Sequence, residues 1–213
     1  MPLMETRSLL REDRRGDFAS GEPEIDEFLR RYAGQNQFRH HLGVTYCALA
    51  EGKIVAFATV SAGEIDPSLL TEETGASLPA YAAPVLRLAR LGVDERMQGN
   101  GIGRELLQSA ADIAFEMRAR VGCVGIVVDA KPQSQGFYER SGFVVIPVTS
   151  RTAGAGAPPV RLFKTLKRSA RVVAAVRADN TPADSLAAEM RRRASELGLS
   201  ADDVRSAVDR LLG

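Results

Sequence analysis

Three glycines spaced two residues apart, in the segment QGNGIG at residues 98–103, are the feature of this sequence best suited to hold a ligand. Because glycine has no Cβ, the backbone at 99, 101 and 103 can approach an anion closely and turn its N–H groups toward it. A helix that starts here adds a favourable dipole. The segment therefore predicts a pyrophosphate site. The alternative is a tight strand-to-helix turn that binds no ligand.

Two common phosphate-binding motifs are excluded by spacing. A P-loop requires Gly-Lys-Ser/Thr after its glycines, and none follows here. The dinucleotide fingerprint requires a third glycine where this chain has Arg104. The loop therefore has to be interpreted from the elements around it.

The segments beside the loop have the pattern of strand, loop and helix. Residues 85–93 are rich in β-formers, and residues 104–118 carry apolar side chains at helical spacing. Residues 121–128 form an almost unbroken apolar run, which is typical of a strand covered on both faces in the centre of a sheet. We expect the strands at 85–93 and 121–128 to pair in parallel.

The residues before this unit predict a strand at 3–10, a helix that begins near Pro23, and a hairpin of strands at 44–50 and 54–60. The helix is expected to bury one face, formed by Ile25, Phe28, Leu29 and Tyr32. Residues 61–84 contain scattered prolines and are expected to form a long connection that borders a site.

The residues after the central strand predict a short helix at 133–140, which Gly142 ends, and then strands at 143–148 and 160–166. A Gly/Pro-rich loop at 154–159 separates these strands. The whole pattern predicts an α/β domain over residues 1–168, with a mixed, mainly antiparallel sheet flanked by helices.

Residues 169–213 differ in composition, being rich in Ala, Arg and Asp and free of aromatic residues, and are expected to form a C-terminal helical appendage. They predict a strand at 171–177, a helix at 185–197 and a second helix that starts at Ser200. This order loosely resembles ribbon-helix-helix antitoxins. The alternative is a helical tail that packs on the catalytic domain or on a second subunit.

Bulk composition excludes several classes of protein. No stretch has the roughly 20 apolar residues of a membrane helix, and the N-terminus lacks a signal-peptide pattern, so we expect a soluble cytoplasmic protein. Two cysteines and two adjacent histidines, His40 and His41, offer neither a disulfide framework nor a metal site. Cys47 and Cys123 are expected to be small buried hydrophobes. The formal net charge of +1 leaves only a local patch for any nucleic acid.

The loop and its neighbours resemble the GNAT N-acetyltransferase superfamily, whose acyl-CoA loop reads Q/R-x-x-G-x-G/A and is matched by Gln98, Gly101 and Gly103. The strand RLARLGVDERM resembles the CoA-contacting strand of that family, and GFYERSGF at 136–143 resembles its F-Y-x-x-x-G-F signature. The resemblance spans residues 3–166. It implies a GNAT fold, splayed between the strands at 85–93 and 121–128, and acetyl-CoA as co-substrate without a metal.

The resemblance also implies roles for individual residues. Tyr138 would be the acid that protonates the departing thiolate, the alternative being a half-buried core aromatic. Backbone groups at Leu91 and Val93 would hold the pantetheine and the thioester oxygen. Gly92 between them serves either a close approach or a β-bulge. The residues implied to bind the cofactor are Leu91, Val93, Gln98, Gly99, Asn100, Gly101, Ile102, Gly103 and Arg104.

Within the superfamily the chain is most similar to tRNA-acetylating toxins of bacterial toxin–antitoxin modules. The similarity rests on FASGEPEIDEFLRRYAGQNQ at 18–37, on TYCAL and PVLRLARLGVD, and on VVDAK before the FYE signature. It implies aminoacyl-tRNA as acceptor, a cognate antitoxin and a homodimer. The appendage departs from this family, which usually ends near residue 168. The alternative acceptors are a small-molecule amine and a protein N-terminus, and a third interpretation is an acyl-CoA sensor without turnover.

The sequence offers no clear general base, although Glu64, Asp66 or Glu95 acting through water are candidates. An α-amine with a pKa near 7.7 is roughly 15–20% neutral at pH 7, whereas a lysine amine is less than about 0.1% neutral. An α-amine therefore needs less help to attack, and this favours aminoacyl-tRNA or a small α-amino compound over protein lysine.

Basic residues near the first helix and the central strands are the candidates for contact with RNA phosphates, which require only charges placed along a path. The alternative is a solvated face paired with Glu24 and Glu27. The candidates are Arg30, Arg31, Arg39, Arg87, Arg90 and Lys131.

Overall fold

A computed structural model of the protein describes residues 5–70, 78–147 and 158–166. Seven strands of these residues form one sheet. They are β1 (Glu5–Ser8), β2 (Val44–Ala50), β3 (Lys53–Ile65), β4 (Ala83–Val93), β5 (Gly125–Ala130), β6 (Val144–Val145) and β7 (Val160–Thr165). Their order across the sheet is β1-β2-β3-β4-β5-β7-β6. Only β4 and β5 pair in parallel, and the other neighbours are antiparallel. The predicted mixed sheet is therefore confirmed.

The helices of the described residues are α1 (Pro23–Glu27), α2 (Ala33–Phe38), α3 (Ile102–Arg120) and α4 (Gln135–Glu139). A π-helical turn, Phe28–Tyr32, joins α1 to α2 without a break. The extra residue in this turn shifts the helical register, so that Ala33 is buried in place of Tyr32, which is 46% exposed. The expectation that Tyr32 lies on the buried face was wrong for this reason.

The long connection predicted at 61–84 is shorter than expected. β3 continues to Ile65 and β4 begins at Ala83, and these two residues are paired in the sheet. Ser61, Gly63 and Glu64 obscured the strand pattern, but the long partner strand supplies their hydrogen bonds. Asp66 accepts a hydrogen bond from the N–H of Ser68 and so starts a 3₁₀ turn at Pro67–Leu69.

The apolar run predicted as a strand at 121–128 divides between two elements. Val121 is 76% exposed, and its N–H and that of Gly122 bond to the carbonyl of Met117 at the end of α3. Gly122 has a φ of +95°, a left-handed conformation that ends the helix. The strand itself starts only at Gly125. The strand predicted at 143–148 is likewise reduced to Val144–Val145.

Both faces of the sheet are covered. On one face α3 packs Leu106, Ala110 and Ala114 against Ile126 and Val128 of β5. On the other face the helical segment 23–38 covers β1 to β3, where Phe57 is fully buried against Phe18 and Phe28. No helix among the described residues is long and apolar enough to cross a membrane.

The sheet opens between its two parallel strands. Residues 86–88 of β4 pair with residues 126–128 of β5, and no pairing follows. β4 then continues to Val93 beside β3, and β5 continues to Ala130 beside β7. The predicted splay is confirmed, and it leaves a gap between the carboxyl ends of the two strands.

The strand and helices predicted within 169–213, and the loop predicted at 154–159 except for its last two residues, lie outside the described residues. The division into a domain at 1–168 and an appendage at 169–213 stays a prediction.

Gly92 of β4 offers a test of the packing behind the gap. A Cβ added at Gly92 lies 2.6 Å from Cγ2 of Ile25 and 3.0 Å from Cε1 of Phe57. We expect Gly92→Ala to lower the free energy of unfolding by about 1–3 kcal/mol, because the helical segment must move to admit the methyl group. Urea unfolding measures the change. Gly16→Ala, whose Cβ has no atom within 4 Å, is the matched control. Equal stability of the two variants would contradict the packing described here.

Candidate active site

A cleft of about 530 Å³ opens beside the gap between β4 and β5. Its walls come from the end of β4, the glycine loop, the first turn of α3, and α4 with the turn before it. The residues that line it are Leu91, Gly92, Val93, Met97, Gln98, Gly99, Gly101, Ile102, Gly103, Arg104, Gln133, Ser134, Phe137, Tyr138, Arg140 and Ser141.

The glycine loop has the geometry of an anion cradle. Gly99 and Gly101 adopt φ values of +80° and +85°, and a Cβ at either position meets no atom within 4 Å. The loop ends at the N-terminus of a 19-residue helix, where the N–H groups of Ile102 and Gly103 have no intrahelical partner. Open space, free donors and the helix dipole together fit a pyrophosphate.

Gly103 is a glycine for a different reason. Its φ is not in the left-handed region, and a Cβ there lies 3.2 Å from Cζ of Phe137. The missing side chain therefore lets α4 pack against the start of α3. This contact brings the two walls of the cleft together.

The charge of the lining also fits an anion. Two arginines, Arg104 and Arg140, line the cleft, and no aspartate or glutamate of the described residues does. In such a cleft a diphosphate is attracted by both guanidinium groups and is not repelled by any carboxylate.

Gln98 and Asn100 brace the loop with their side chains. The Gln98 amide donates to the carbonyls of Ser20 and Val93, both at 3.0 Å. The Asn100 amide donates to the carbonyls of Met97 and Gln98. Asn100 does not line the cleft, whereas the other eight residues predicted to bind the cofactor do.

Tyr138 is held in one orientation at the edge of the cleft. Its ring is 6% exposed and makes edge contacts with Phe137 and Phe143, at centroid distances of 5.1 and 5.5 Å. Within the described residues its hydroxyl has no hydrogen-bond partner, yet no fully buried polar side-chain atom there lacks one. The hydroxyl is therefore accessible to solvent, and Tyr138 is one of the residues that line the cleft.

Burial raises the pKa of Tyr138 to about 12. The phenol is thus protonated throughout the range in which proteins work, and it can act as a donor. The role of acid and the alternative of a core aromatic both stay predictions for Tyr138.

The ambiguity at Gly92 is resolved by the sheet register. The bulge in β4 lies at Ala89, because Arg90 and Leu88 face consecutive residues of β3. Gly92 instead admits Ile25, Phe18 and Phe57, which pack close to its backbone. Leu91 and Val93 point to the opposite face, toward the cleft.

None of the predicted base candidates lines the cleft. Glu64, Asp66 and Glu95 are all exposed on the surface. Asp94, four residues before the glycine loop, is a buried carboxylate and is 0% exposed. Hydrogen bonds from Arg96 hold its pKa at about 2, so it is a permanently charged anchor and not a base.

Three of the six basic residues predicted to contact RNA are already paired. Arg31 bonds to Glu27 at 3.1 Å, Arg87 to Asp129 at 3.2 Å, and Lys131 to Glu22 at 2.7 Å. The predicted pairing with Glu24 and Glu27 is found for Arg31, which pairs with Glu27, and for Lys131, which also pairs with Glu24 at 3.2 Å, but not for Arg87.

The other three cations, Arg30, Arg39 and Arg90, are exposed and have no carboxylate partner within the described residues. Arg90 lies over the ring of Phe28, 5.3 Å from its centroid, so the helical segment orients its guanidinium.

Sequence reasoning did not predict that α4 and the residues on either side of it form one wall of the cleft. Gln133, Ser134, Phe137, Arg140 and Ser141 line the cleft together with Tyr138. Helical spacing carries this signal, since Ser134 and Ser141 lie four residues before and three residues after Tyr138. Sequence reasoning also did not identify Arg161 as a partner of Asp129. Two of its guanidinium nitrogens donate to this carboxylate, which also accepts from Arg87.

The cysteines and histidines take no part in the cleft. Cys47 and Cys123 are buried, and burial raises the pKa of both thiols. His40 and His41 are exposed. The described residues include no group of three or more side chains able to bind a metal ion.

Comparison with known proteins identifies the family. The model of the acetyltransferase (GNAT) family matches residues 4–143. The tRNA-acetylating toxin of Mycobacterium tuberculosis (strain ATCC 25618 / H37Rv) is 30% identical over 133 residues, which are 61% of this chain and 78% of that protein.

Solved structures share the fold. AtaT complexed with acetyl-methionyl-tRNAfMet is 20% identical, with a TM-score of 0.65 over 76% of this chain and 94% of AtaT. A mutant AtaT toxin bound to the C-terminus of the antitoxin AtaR and acetyl-CoA is 19% identical, with a TM-score of 0.61 over 76% of this chain and 93% of that one.

The family match covers the glycine loop, the splayed strands and Tyr138, which are the parts that form the cleft. The chain belongs to the GNAT acetyltransferase family and is an N-acetyltransferase that uses acetyl-CoA.

Proposed function

We propose that this chain transfers the acetyl group of acetyl-CoA to the α-amine of aminoacyl-tRNA and thereby blocks translation as a toxin. The observation that carries the proposal is one cleft, beside the splay, that contains both the anion cradle and the Tyr138 hydroxyl. The acceptor is inferred from the relative named as a tRNA-acetylating toxin and from the AtaT complex with acetyl-methionyl-tRNAfMet.

The cradle and the strand end are the proposed binding groups. The loop N–H groups and Arg104 would hold the pyrophosphate, and the backbone at Leu91 and Val93 would hold the pantetheine and the thioester oxygen. Acetyl-CoA supplies an activated acyl group on a sulfur that can leave. A backbone N–H directed at the thioester oxygen stabilises the negative charge that develops there.

Tyr138 is the proposed acid. As the amine nitrogen bonds to the acyl carbon, the C–S bond breaks, its electron pair goes to sulfur, and the phenol donates its proton there. The nitrogen gives up its extra proton to water, from which the phenolate regains one. An ordinary thiol has a pKa near 8.5, well below the pKa of about 12 of Tyr138, so the transfer to sulfur depends on this return of a proton to the phenolate.

The absence of carboxylates from the described lining of the cleft supports an α-amine acceptor. Without a base, the acceptor must supply its own neutral fraction, roughly 15–20% at pH 7 for an α-amine against less than about 0.1% for lysine. Protein lysine is therefore disfavoured on chemical grounds.

The RNA would follow the exposed cations Arg30, Arg39 and Arg90, which are free of carboxylates within the described residues. Arg31 and Arg87 would join by exchanging a carboxylate for a phosphate, and Lys131, whose ammonium has three donors, would join while it keeps its bond to Glu22. Such exchange is inexpensive, because exposed ion pairs contribute only about 0–1 kcal/mol. Arg87 is 51% exposed and shares Asp129 with Arg161, which donates to that carboxylate through two nitrogens.

The cellular setting follows from the acceptor. Charged tRNA is a cytoplasmic molecule, so the protein would act in the cytoplasm. A cognate antitoxin would neutralise it, as AtaR binds AtaT, and two chains would form a homodimer. The catalytic domain would span residues 1–168 and the appendage residues 169–213.

Transfer of radiolabelled acetyl from acetyl-CoA tests the acceptor directly. We expect label on charged tRNA and none on uncharged tRNA, because only the charged form has the α-amine. A panel of small amines runs in parallel. Label on small amines alone would leave the acetyltransferase assignment intact and reject the RNA acceptor.

Gly101→Glu tests the cradle. A carboxylate placed in the open space beside Gly101 repels the pyrophosphate, and we expect acetyl-CoA binding to fall at least 100-fold in calorimetry. The residue also has a φ of +85°, so backbone strain needs a control. Gly52→Glu in the β2–β3 turn has a similar φ of +74° and equally open space, but it is remote from the cleft. Retained micromolar binding by the Gly101 variant would refute the placement.

Tyr138→Phe tests the acid. The substitution removes only the hydroxyl and keeps the edge contacts with Phe137 and Phe143. We expect kcat to fall about 10²–10⁴-fold, in the range of acid catalysis, while the Kd of acetyl-CoA stays within about threefold. Steady-state kinetics measures kcat, and calorimetry measures the Kd of acetyl-CoA. Unchanged turnover would remove Tyr138 from the mechanism.

A further inference from the structure

Residues 20–22, Ser-Gly-Glu, contact both walls of the cleft, and they are called the strap below. The first wall is the glycine loop with the end of β4, and the second is the turn that follows β5 and leads into α4. The two walls diverge at the splay, where the sheet no longer connects them.

The strap is fixed to the first wall through Gln98. One amide group of Gln98 donates to the carbonyl of Ser20 and to that of Val93, both at 3.0 Å. The neighbouring backbone adds a bond from the N–H of Glu95 to the carbonyl of Ala19 at 2.9 Å. Gln98 itself lines the cleft, so the attachment lies at the binding loop.

The strap is also fixed to the helical segment. The N–H and the hydroxyl of Ser20 donate to one carboxylate oxygen of Asp26, at 2.8 and 2.6 Å. Both residues are buried, and Gly21 between Ser20 and Glu22 has a φ of +82°. These bonds determine where the side chain of Glu22 leaves the backbone.

Glu22 connects the strap to the second wall. One carboxylate oxygen accepts from Nζ of Lys131 at 2.7 Å, and the other accepts from Nε2 of Gln133 at 3.4 Å. Lys131 follows the last residue of β5, and Gln133 lines the cleft one turn before Tyr138. The carboxylate therefore bonds the segment that carries the proposed acid.

We propose that the strap, together with the packing of Phe137 on Gly103, sets the distance between the two walls, so that Glu22 is a positioning residue that aligns Tyr138 with the sulfur held by the first wall. The inference rests on the proposed role of Tyr138. It assigns an effect on the chemical step to a half-buried carboxylate that lies outside the family loop and signature. A displacement of about 1 Å at a reacting group can cost up to about 10²-fold in rate.

The strap separates binding from turnover. Most of the proposed acetyl-CoA contacts, the loop N–H groups, Arg104 and the backbone of Leu91 and Val93, belong to the first wall, which keeps its own bonds when Glu22 is removed. The second wall, which carries Tyr138, then loses both bonds to Glu22 and keeps only the longer ion pair of Lys131 with Glu24, at 3.2 Å. Glu22→Ala is therefore expected to lower kcat about tenfold while the Kd of acetyl-CoA stays within about threefold.

The matched control is Glu27→Ala. Glu27 lies in the same helical segment, is exposed and forms an ion pair with Arg31 at 3.1 Å, but it does not contact the cleft. The control removes the same charge and severs a comparable surface pair. We expect its acetyl-CoA Kd, and its kcat at saturating charged tRNA, to equal those of the unchanged chain, because freeing Arg31 changes only the affinity for RNA.

A double-mutant cycle with Tyr138→Phe distinguishes alignment from general loosening. If the strap acts through Tyr138, Glu22→Ala changes kcat less than about twofold once the hydroxyl is gone. An equal tenfold loss in both backgrounds would overturn the proposal, as would an acetyl-CoA Kd that rises in step with the loss of kcat.

Hydrogen exchange tests the strap without requiring an acetyl acceptor. In the full chain saturated with acetyl-CoA, Glu22→Ala is expected to speed amide exchange in residues 132–142 at least threefold, and Glu27→Ala to leave it unchanged. Unchanged exchange in both variants would reject the strap. If charged tRNA takes no label from the unchanged chain, the proposed acceptor fails, and the exchange arm still decides whether the strap holds the second wall.

Discussion

Parallel pairing between β4 and β5 stops after residues 86–88 and 126–128, and most of the functional geometry depends on that limit. Each strand keeps hydrogen bonds on its other side, β4 to β3 and β5 to β7, whereas the backbone groups that face the gap are left open for solvent or a ligand. The separation exposes strand-end backbone at Leu91 and Val93 without destabilising the sheet. The cleft is therefore a property of the topology and not of any one side chain.

The walls of the cleft are shaped by what covers the two faces of the sheet. On one face α3 brings the glycine loop to the strand end, and Gly103 lets α4 approach until Phe137 touches it. On the other face the helical segment packs against Gly92 from behind. Because Gly103 and Gly92 have no side chains, Phe137 packs against the first and the helical segment against the second. These neighbours in turn shape the walls of the cleft.

Local patterns predicted the parts of the site that local chemistry determines. The spacing of glycines at 99, 101 and 103 was sufficient to predict the loop between β4 and α3. The apolar run near 121–128 was sufficient to predict a central strand, although not the residue at which it begins. Properties that depend on partners distant in sequence were not predictable. Residues 61–65 join the sheet because β4 is long enough to pair with them, and Glu22 acquires its role from Lys131, which is 109 positions away.

The π turn at Phe28–Tyr32 has a consequence for how this chain tolerates insertions and deletions. The Ala33 N–H bonds five residues back to Phe28, and the added residue rotates everything after it by about 100° relative to a regular helix. That rotation directs Gln37 inward, where its amide spans the carbonyl of Leu9 and the N–H of Thr45 at 2.9 and 2.8 Å. Deletion of one residue in the turn would restore regular helical geometry but rotate Gln37 away from Leu9 and Thr45. The end of the β1–β2 pair would then lose these two bonds and keep only its own backbone bonds, such as that from the Leu9 N–H to the carbonyl of Thr45 at 2.7 Å.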